Sequence, residues 1–454
     1  MKDNFEIKGE WFLPSDKEDR LKGILKFDNK QGATLETFDS FKKNSINIEI
    51  ILGDSDDGKQ ITLYKVYLQK GWSNFTINYI LIGHHFEDIK NIRFDEIVSE
   101  ISNLDEWVCI SGFPRPKTPK SKKPKWDITL NYKQPEPIDF LISDALSGRF
   151  NFTPIVPAWS TTHMKEVNLA QRTQFILKSD KEMSFDDCLK NLFTFSDFIT
   201  LATYQAAYPN KIILKSTDIT EHFIDAKPRK KKITLHFVIN GRNDSLDMKT
   251  WIEMLYSYPA IKDDFSGIIS KWYECRDLLE STHNLLFEQF YNDGRFTENS
   301  FLNMAQALES FHARLNNGTK MPSQKYKAIR DEIIGLVPNE YHTLLNSLFK
   351  FGNHLDLHTR IDEVIKKYSN DLINSAIGDK EEFIKKVKHS RNYYTHYSSD
   401  LRKKALKGVP LFWLSQKIKM LIVAAYLKEV GFDSDYIFNT MKRNKRYFVS
   451  PFMI

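Results

Sequence analysis

The chain of 454 residues has a globular composition, with 41% hydrophobic and 27% charged residues. This balance excludes a disordered, collagen-like or membrane-embedded chain, and the length allows two or three domains. The formal net charge is +6, and all of the excess lies in residues 260–454, because residues 1–259 hold 36 basic and 36 acidic residues. A local positive excess favours binding to polyanions such as nucleic acid.

The N-terminal part, residues 1–250, has the pattern of a β-dominated domain. Apolar runs on either side of the turn residues 54–58 predict a hairpin, and FTINYILIGHHF and WVCISGF predict further strands. The proline- and lysine-rich segment 114–126 predicts a loop. One helix is predicted from Ser184, its N-cap, to Tyr208, with Pro209 ending it.

Beyond about residue 260, strand patterns vanish and helical periods follow one another, separated by glycine and proline. The predicted helices span residues 265–291, 301–315, 323–336, 341–351, 360–374, 380–398, 411–430 and 435–446. The predicted fold class is therefore α+β. A β-rich mixed domain, 1–259, precedes an all-α helical bundle, 260–454.

Several kinds of site are absent from the sequence. No GxxxxGK[ST], GxGxxG, GxSxG or HExxH motif occurs, which argues against NTPases, Rossmann enzymes, α/β-hydrolases and zincins. Three widely spaced cysteines argue against a disulfide framework. The pair His84–His85 and the pair His354 and His358 lack a third ligand, so we expect no metal and no cofactor. Without a signal peptide or a long apolar run, we expect a cytoplasmic protein that does not bind membranes.

The most informative motif lies between residues 385 and 405, where Arg391 precedes His396. On a helix, Asn392 and His396 stack at i, i+4. Histidine moves protons near neutral pH, and arginine binds phosphate and stabilises charge that develops on it. Together they suit metal-free RNA cleavage by 2′-OH attack. Glu309 could orient an active-site cation. The structural alternative is a capping histidine and a surface arginine.

The motif lies in a basic run, since residues 380–407 hold nine basic and three acidic side chains. Basic side chains here could bind RNA phosphates, and a tyrosine could stack on a base. The alternative is ordinary solvated charge and packing. The predicted RNA contacts are Lys385, Lys388, Tyr394, Arg402, Lys403 and Lys404.

The sequence resembles a known family. Arg391 and His396, with a polar residue after the arginine, resemble the HEPN signature, and MAQALESFHARL and LFWLSQKIKMLIVAAYLKEVGF resemble the early and closing HEPN helices. GEWFLP, GILKF, ATLETF and ILGDSDDGKQITLYKV resemble the ApeA N-terminal domain. The chain is therefore similar to ApeA-type anti-phage proteins with a C-terminal HEPN ribonuclease domain.

The resemblance implies a metal-independent endoribonuclease of abortive infection that cleaves tRNA or other cellular RNA and leaves a 2′,3′-cyclic phosphate. It implies His396 as general acid/base, Arg391 as phosphate stabiliser and Asn392 beside them. HEPN domains usually pair across a composite cleft, which implies a homodimer or higher oligomer. The N-terminal domain would sense a phage-derived trigger or restrain the nuclease. Some relatives carry a tyrosine two residues after the histidine, where this chain has Ser398.

Two other functions remain open at this stage. One is a non-catalytic HEPN scaffold that binds nucleic acid or a partner through the same basic face. The other is a ligand- or carbohydrate-binding N-terminal module fused to a dimerising bundle, which a cluster of Trp11, Trp72 and Trp107 on one open β face would favour. Pairing of two positive motif helices would need apolar contacts as well. The candidates for these contacts are Tyr393, Tyr394, Phe412, Trp413, Leu421 and Ile422.

Overall fold

A computed structural model describes residues 4–42, 48–69, 73–114, 131–156, 168–222, 227–239, 242, 248–292, 297–316 and 318–444. The chain divides into two compact units, Met1–Ser266 and Gly267–Ile454. The boundary expected at 259/260 falls inside a short helix, Tyr258–Ile261. The loop predicted at 114–126 lies outside the described residues, except for Pro114.

The first unit is built on an antiparallel sheet that has twelve strands within the described residues. Two further short strands form a separate ribbon. The strands are β1 Asn4–Leu13, β2 Asp16–Asp28, β3 Gly32–Thr37, β4 Ile50–Ser55, β5 Gln60–Leu68, β6 Asn74–Ile82, β7 Arg93–Ile101, β8 Ile138–Ser143, β9 Leu146–Ile155, β10 Ala170–Ser184, β11 Pro209–Lys215, β12 Thr220–Glu221, β13 Arg229–Lys230 and β14 Ile233–His236. The sheet order is β3-β2-β1-β4-β5-β6-β14-β11-β7-β10-β9-β8.

Strands β1 to β6 close into a barrel, because β3 pairs with β6 as well as with β2. Trp11 fills the interior and is fully buried, and Gly53 is required beside it, since a Cβ there would lie 2.3 Å from the indole. The hairpin predicted around residues 54–58 is confirmed as β4–β5. Trp107 is also fully buried and Trp72 lies outside the described residues, so the ligand- or carbohydrate-binding alternative loses the tryptophan cluster that would have favoured it.

The prediction of a strand at WVCISGF is wrong. Leu104–Val108 forms a short helix, α1, bounded by left-handed residues at Asn103 and Cys109. The next helix, α2 (Phe185–Thr203), begins as predicted, because the Ser184 hydroxyl accepts a hydrogen bond from the amide of Asp187. It ends before Pro209, at a left-handed Tyr204, and Pro209 instead begins β11.

The remaining helices lie at the end of the first unit and throughout the second. They are α3 Tyr258–Ile261, α4 Phe265–Leu278, α5 Glu280–Tyr291, α6 Thr297–Leu315, α7 Ser323–Gly335, α8 His342–Phe349, α9 Leu357–Tyr368, α10 Asp371–Ile377, α11 Lys380–His396, α12 Val409–Val430 and α13 Ser434–Arg443. Two predicted helices are each divided in two. The helix at 265–291 breaks at Leu279, and the helix at 360–374 breaks where Asn370 caps α10 through the amide of Ile373.

The centre of the helical unit is α12, whose side chains are buried on nearly every face from Leu414 to Leu427. It packs against α6, α9, α10 and α13, while α6, α9 and α11 pack on one another. The helix begins at Val409, with Pro410 in its first turn, and is ended by Gly431, which has a positive φ of 109°. No helix in the described parts of the chain is long and apolar enough to cross a membrane.

Candidate RNase site

Helix α11 carries the predicted motif and has one buried face. Its first turn is capped by Asp379, whose carboxylate accepts a hydrogen bond from the amide of Glu382. Phe383, Ile384 and Val387 are buried against the bundle. His396 is the last helical residue, because the next residue takes a left-handed conformation that ends the helix.

Arg391 is held by a carboxylate from another helix. Its Nε atom lies 3.1 Å from Oε1 of Glu309 on α6, and its Nη2 atom donates to Oε2 at 3.5 Å. The Nε contact is an ion pair without hydrogen-bond alignment, since Oε1 has no hydrogen bond within the described residues. The Nη1 atom donates to Oδ1 of Asn392 at 3.3 Å. Glu309 therefore orients the guanidinium of Arg391.

His396 stands apart from this contact. Its side chain is exposed, and within the described residues the ring makes neither a hydrogen bond nor an ion pair. The neighbouring Thr395 turns its hydroxyl back to the carbonyl of Arg391 at 2.8 Å. In one chain the structure thus brings Arg391 and Asn392 together and leaves the imidazole of His396 open to solvent.

Tyr394 does not have the role predicted for it. The side chain is only 7% exposed, and its hydroxyl donates to the carbonyl of Leu406 at 2.9 Å. The ring packs edge-on against Phe301 and Tyr393. A buried ring has no open face for a base, so the prediction that Tyr394 binds RNA is wrong, and the residue instead fixes the segment that follows α11.

The five basic side chains that were predicted to contact RNA phosphates are exposed. None of them forms an ion pair with another described residue, whereas Lys380 pairs with Asp362 and Lys386 with Glu382, each at 2.6 Å. These exposed residues are Lys385, Lys388, Arg402, Lys403 and Lys404.

Three of these lysines lie around one histidine, His389. Burial, followed by the positive charges of Lys404, Lys388 and Lys385, holds the pKa of His389 below its usual range. The same three positive charges attract anions to this surface. The structure thus combines a positive surface with the motif helix.

Part of the surface that was predicted to pair two chains is buried within a single chain. Leu421 and Ile422 are fully buried within the protomer, so the prediction that they form intermolecular contacts is wrong. Their helix is α12, which is covered on nearly all sides, and its sequence gives no sign of which apolar positions face outward. Phe412 is 41% exposed and Trp413 is partly exposed, and their contacts with a second chain stay a prediction.

The two histidine pairs do not form metal sites within the described residues, which hold no cluster of three or more metal-binding side chains. His354 precedes α9, so it does not share a helix face with His358, and His358 pairs with Glu381 at 2.9 Å. His85 contacts the carbonyl of Gly53 at 2.9 Å.

Arg360 of α9 was not predicted from the sequence. It contacts the backbone of Glu309, the residue that orients Arg391. Its Nη1 atom donates to the backbone carbonyl of Glu309 at 3.4 Å, and its Nε atom donates to the carbonyl of Leu355 at 3.0 Å. The contact fixes α6 at the residue that holds Arg391. Arg360 is 51 positions from Glu309 and belongs to no motif, so no local signal could have revealed it.

The β-rich unit, and the helical bundle with an arginine–histidine helix, define a two-part protein with a HEPN-type C-terminal domain. Comparison with family models agrees: ApeA N-terminal domain 1 matches residues 6–272, and Apea-like HEPN matches residues 302–436. The chain therefore belongs to the ApeA family, and the predicted α+β fold class is confirmed. This membership supports a HEPN nuclease-type protein of anti-phage defence. No curated protein and no solved structure gives a significant match.

Proposed function

We propose that the protein is a metal-independent endoribonuclease of abortive infection, with tRNA among its cellular targets. HEPN domains typically dimerise and bind RNA, and we propose that two α11 helices pair to form a composite cleft. The described basic residues would lead RNA into this cleft through its phosphates. The N-terminal unit would sense a phage-derived trigger or restrain cleavage.

The proposed reaction needs only side chains of the motif. The imidazole of one His396 takes the proton of the ribose 2′-OH, and the 2′-oxygen attacks the adjacent phosphorus. Arg391 stabilises the negative charge of the phosphorane. The 5′-oxygen then leaves with a proton from the His396 of the second chain. The products are a 2′,3′-cyclic phosphate and a 5′-hydroxyl, so the reaction consumes no co-reactant.

The observation that carries this proposal is the contrast between the two motif side chains. Arg391 is oriented by Glu309 at 3.1 Å, whereas His396 is exposed and unpaired within the described residues. A fixed cation and an open imidazole on the same helix suit phosphate binding and proton transfer. The same ion pair favours the alternative, a non-catalytic scaffold, because Glu309 already neutralises the charge of Arg391.

Incubation with purified tRNA and with mRNA in excess EDTA distinguishes the two functions. We expect cleavage that survives EDTA, with cyclic-phosphate ends, and we expect His396→Ala to abolish it at an unchanged melting temperature. His358→Ala is the matched control, since this partly exposed imidazole pairs with Glu381 away from the motif. Strict metal dependence, or full activity of His396→Ala, would refute the mechanism. RNA binding without cleavage would establish the scaffold.

A further inference from the structure

Helices α7 and α8 form a hairpin that leaves the bundle and returns to it. None of their residues, all of which the structure describes, is buried. The hairpin is closed at its base, where Asn353 binds Met321 in both directions, its Nδ2 atom donating to the carbonyl at 2.9 Å and its Oδ1 atom accepting from the amide at 3.1 Å. The amide of Leu355 also donates to the carbonyl of Gly318 at 2.9 Å. Residues 318–355 therefore form a hairpin whose two ends are joined by hydrogen bonds.

The two helices pack on each other along one seam. The hydroxyl of Tyr326 donates to the carbonyl of Phe349 at 2.8 Å, and the Nε2 atom of His342 lies 2.8 Å from the carbonyl of Val337. An apolar stripe at spacing i, i+4, i+7 follows each helix to the first or second residue beyond its end, and its side chains are between 37% and 82% exposed. These residues, the apolar hairpin face, are Ile329, Ile333, Leu336, Leu344, Leu348 and Phe351.

We propose that the apolar hairpin face binds the same face of a second copy of this chain. Two such two-helix layers, placed face to face, form a four-helix bundle, and a two-fold axis makes each layer the complement of the other. Charge permits the contact, because residues 322–352 carry four basic and three acidic side chains and so repel a copy little. The basic run of residues 380–407 has no such balance.

The exposed area of the apolar hairpin face is also large enough for a stable interface. From their exposed fractions, the six side chains present about 600 Å², so a symmetric pair removes about 1,200 Å² from water, which reaches the range of stable interfaces. An isolated exposed apolar side chain needs no explanation, but six such side chains in two stripes form a patch of this size. This interface is separate from the pairing proposed for α11, and a chain with both would form a tetramer or a longer assembly.

Sedimentation velocity of the full-length protein tests the proposal. We expect Leu344→Glu/Leu348→Glu to have half the mass of the wild type, because two buried charges on each copy would oppose the contact. Gln324→Glu/Asn346→Glu adds the same charges on the opposite side of the hairpin and should keep the wild-type mass. If the first variant unfolds, Leu336→Lys, at the most exposed position of the face, replaces it.

A cross-link provides an independent readout. In a Cys109→Ser background, which removes the exposed thiol, Leu348→Cys should give a covalent dimer with a short bismaleimide, and Asn346→Cys should not. Equal masses of wild type and Leu344→Glu/Leu348→Glu, together with no cross-link, would overturn the proposal, including the case in which a different protein covers this face. RNA cleavage in EDTA is measured separately, so failure of the interface and failure of the enzyme are distinguishable.

Discussion

Neutralising Lys403 and Lys404 should weaken RNA binding by an amount that depends on salt. The proposed RNA surface has five exposed cations without an ion pair among the described residues, so we expect about five phosphate contacts. Each contact adds about 0.7 for single-stranded and about 0.9 for duplex nucleic acid to the slope of log affinity against log salt. The expected slope is then about 3.5 to 4.5 for the wild type and about 2 to 2.7 for Lys403→Gln/Lys404→Gln.

These slopes give a large measurable difference. A fourfold rise in salt, from about 50 to about 200 mM, should weaken wild-type binding about 130- to 500-fold, but binding of the double variant only about 20- to 40-fold. Fluorescence anisotropy with labelled tRNA measures both, in a His396→Ala background that prevents cleavage. The binding defect of the variant should therefore be greatest at low salt.

The matched control is Lys380→Gln/Lys386→Gln, which removes the same charge from the same basic run. Both lysines already pair with carboxylates, at 2.6 Å, so they should contribute little to phosphate contacts. The control slope should stay within about half a unit of the wild type. Equal slopes for all three proteins would mean that Lys403 and Lys404 do not touch RNA, and equal losses in both variants would mean that only net charge matters.

Three further perturbations test other parts of the structure. Glu309→Gln should lower kcat about tenfold through misorientation of Arg391, with RNA affinity unchanged, and should cost at most about 1 kcal/mol of stability because the pair is partly exposed; an undiminished kcat contradicts this role. A 1:1 mixture of wild type and His396→Ala under free exchange should retain about a quarter of the activity if both histidines are needed, whereas half indicates independent sites. Burial lowers the pKa of His236 from 6.5 to about 4, so its contribution to folding is complete above pH 6.5 and is lost as the pH falls toward 4, by about 2 kcal/mol at pH 5. Thermal melts should show this loss in the wild type and less of it in His236→Phe.

The order of the elements could be predicted from sequence because it rests on local patterns. The β4–β5 hairpin and the cap at Ser184 are examples, since turn residues and a capping hydroxyl act within a few positions. The secondary-structure predictions failed where contacts between distant residues determine the local conformation. The segment WVCISGF has β-branched and aromatic residues, yet its first two residues end α1, because Trp107 is buried against Phe198 of α2.

The site shows the same division. Arg391, Asn392 and His396 could be proposed from one helix, because their spacing is a local property. The partner of Arg391 is 82 positions away, so only the distance between the two side chains in the fold identifies Glu309 as that partner. Tyr394 shows what could not be predicted, because the exposure of a side chain on a helix depends on which other elements cover it. Its hydroxyl contact with Leu406 lies beyond the end of the helix and leaves no periodic signal.

The sheet order of the first unit has a consequence for folding during synthesis. The barrel of β1 to β6 needs only the first 82 residues and closes on itself through β3 and β6. Strand β7, by contrast, obtains its neighbour β11 only when residues 209–215 have been made, more than a hundred positions later. Until then β7 presents an unpaired edge, which favours association with other chains. Ribosome-bound chains that end between these strands should therefore contain a protease-resistant barrel and an aggregation-prone remainder.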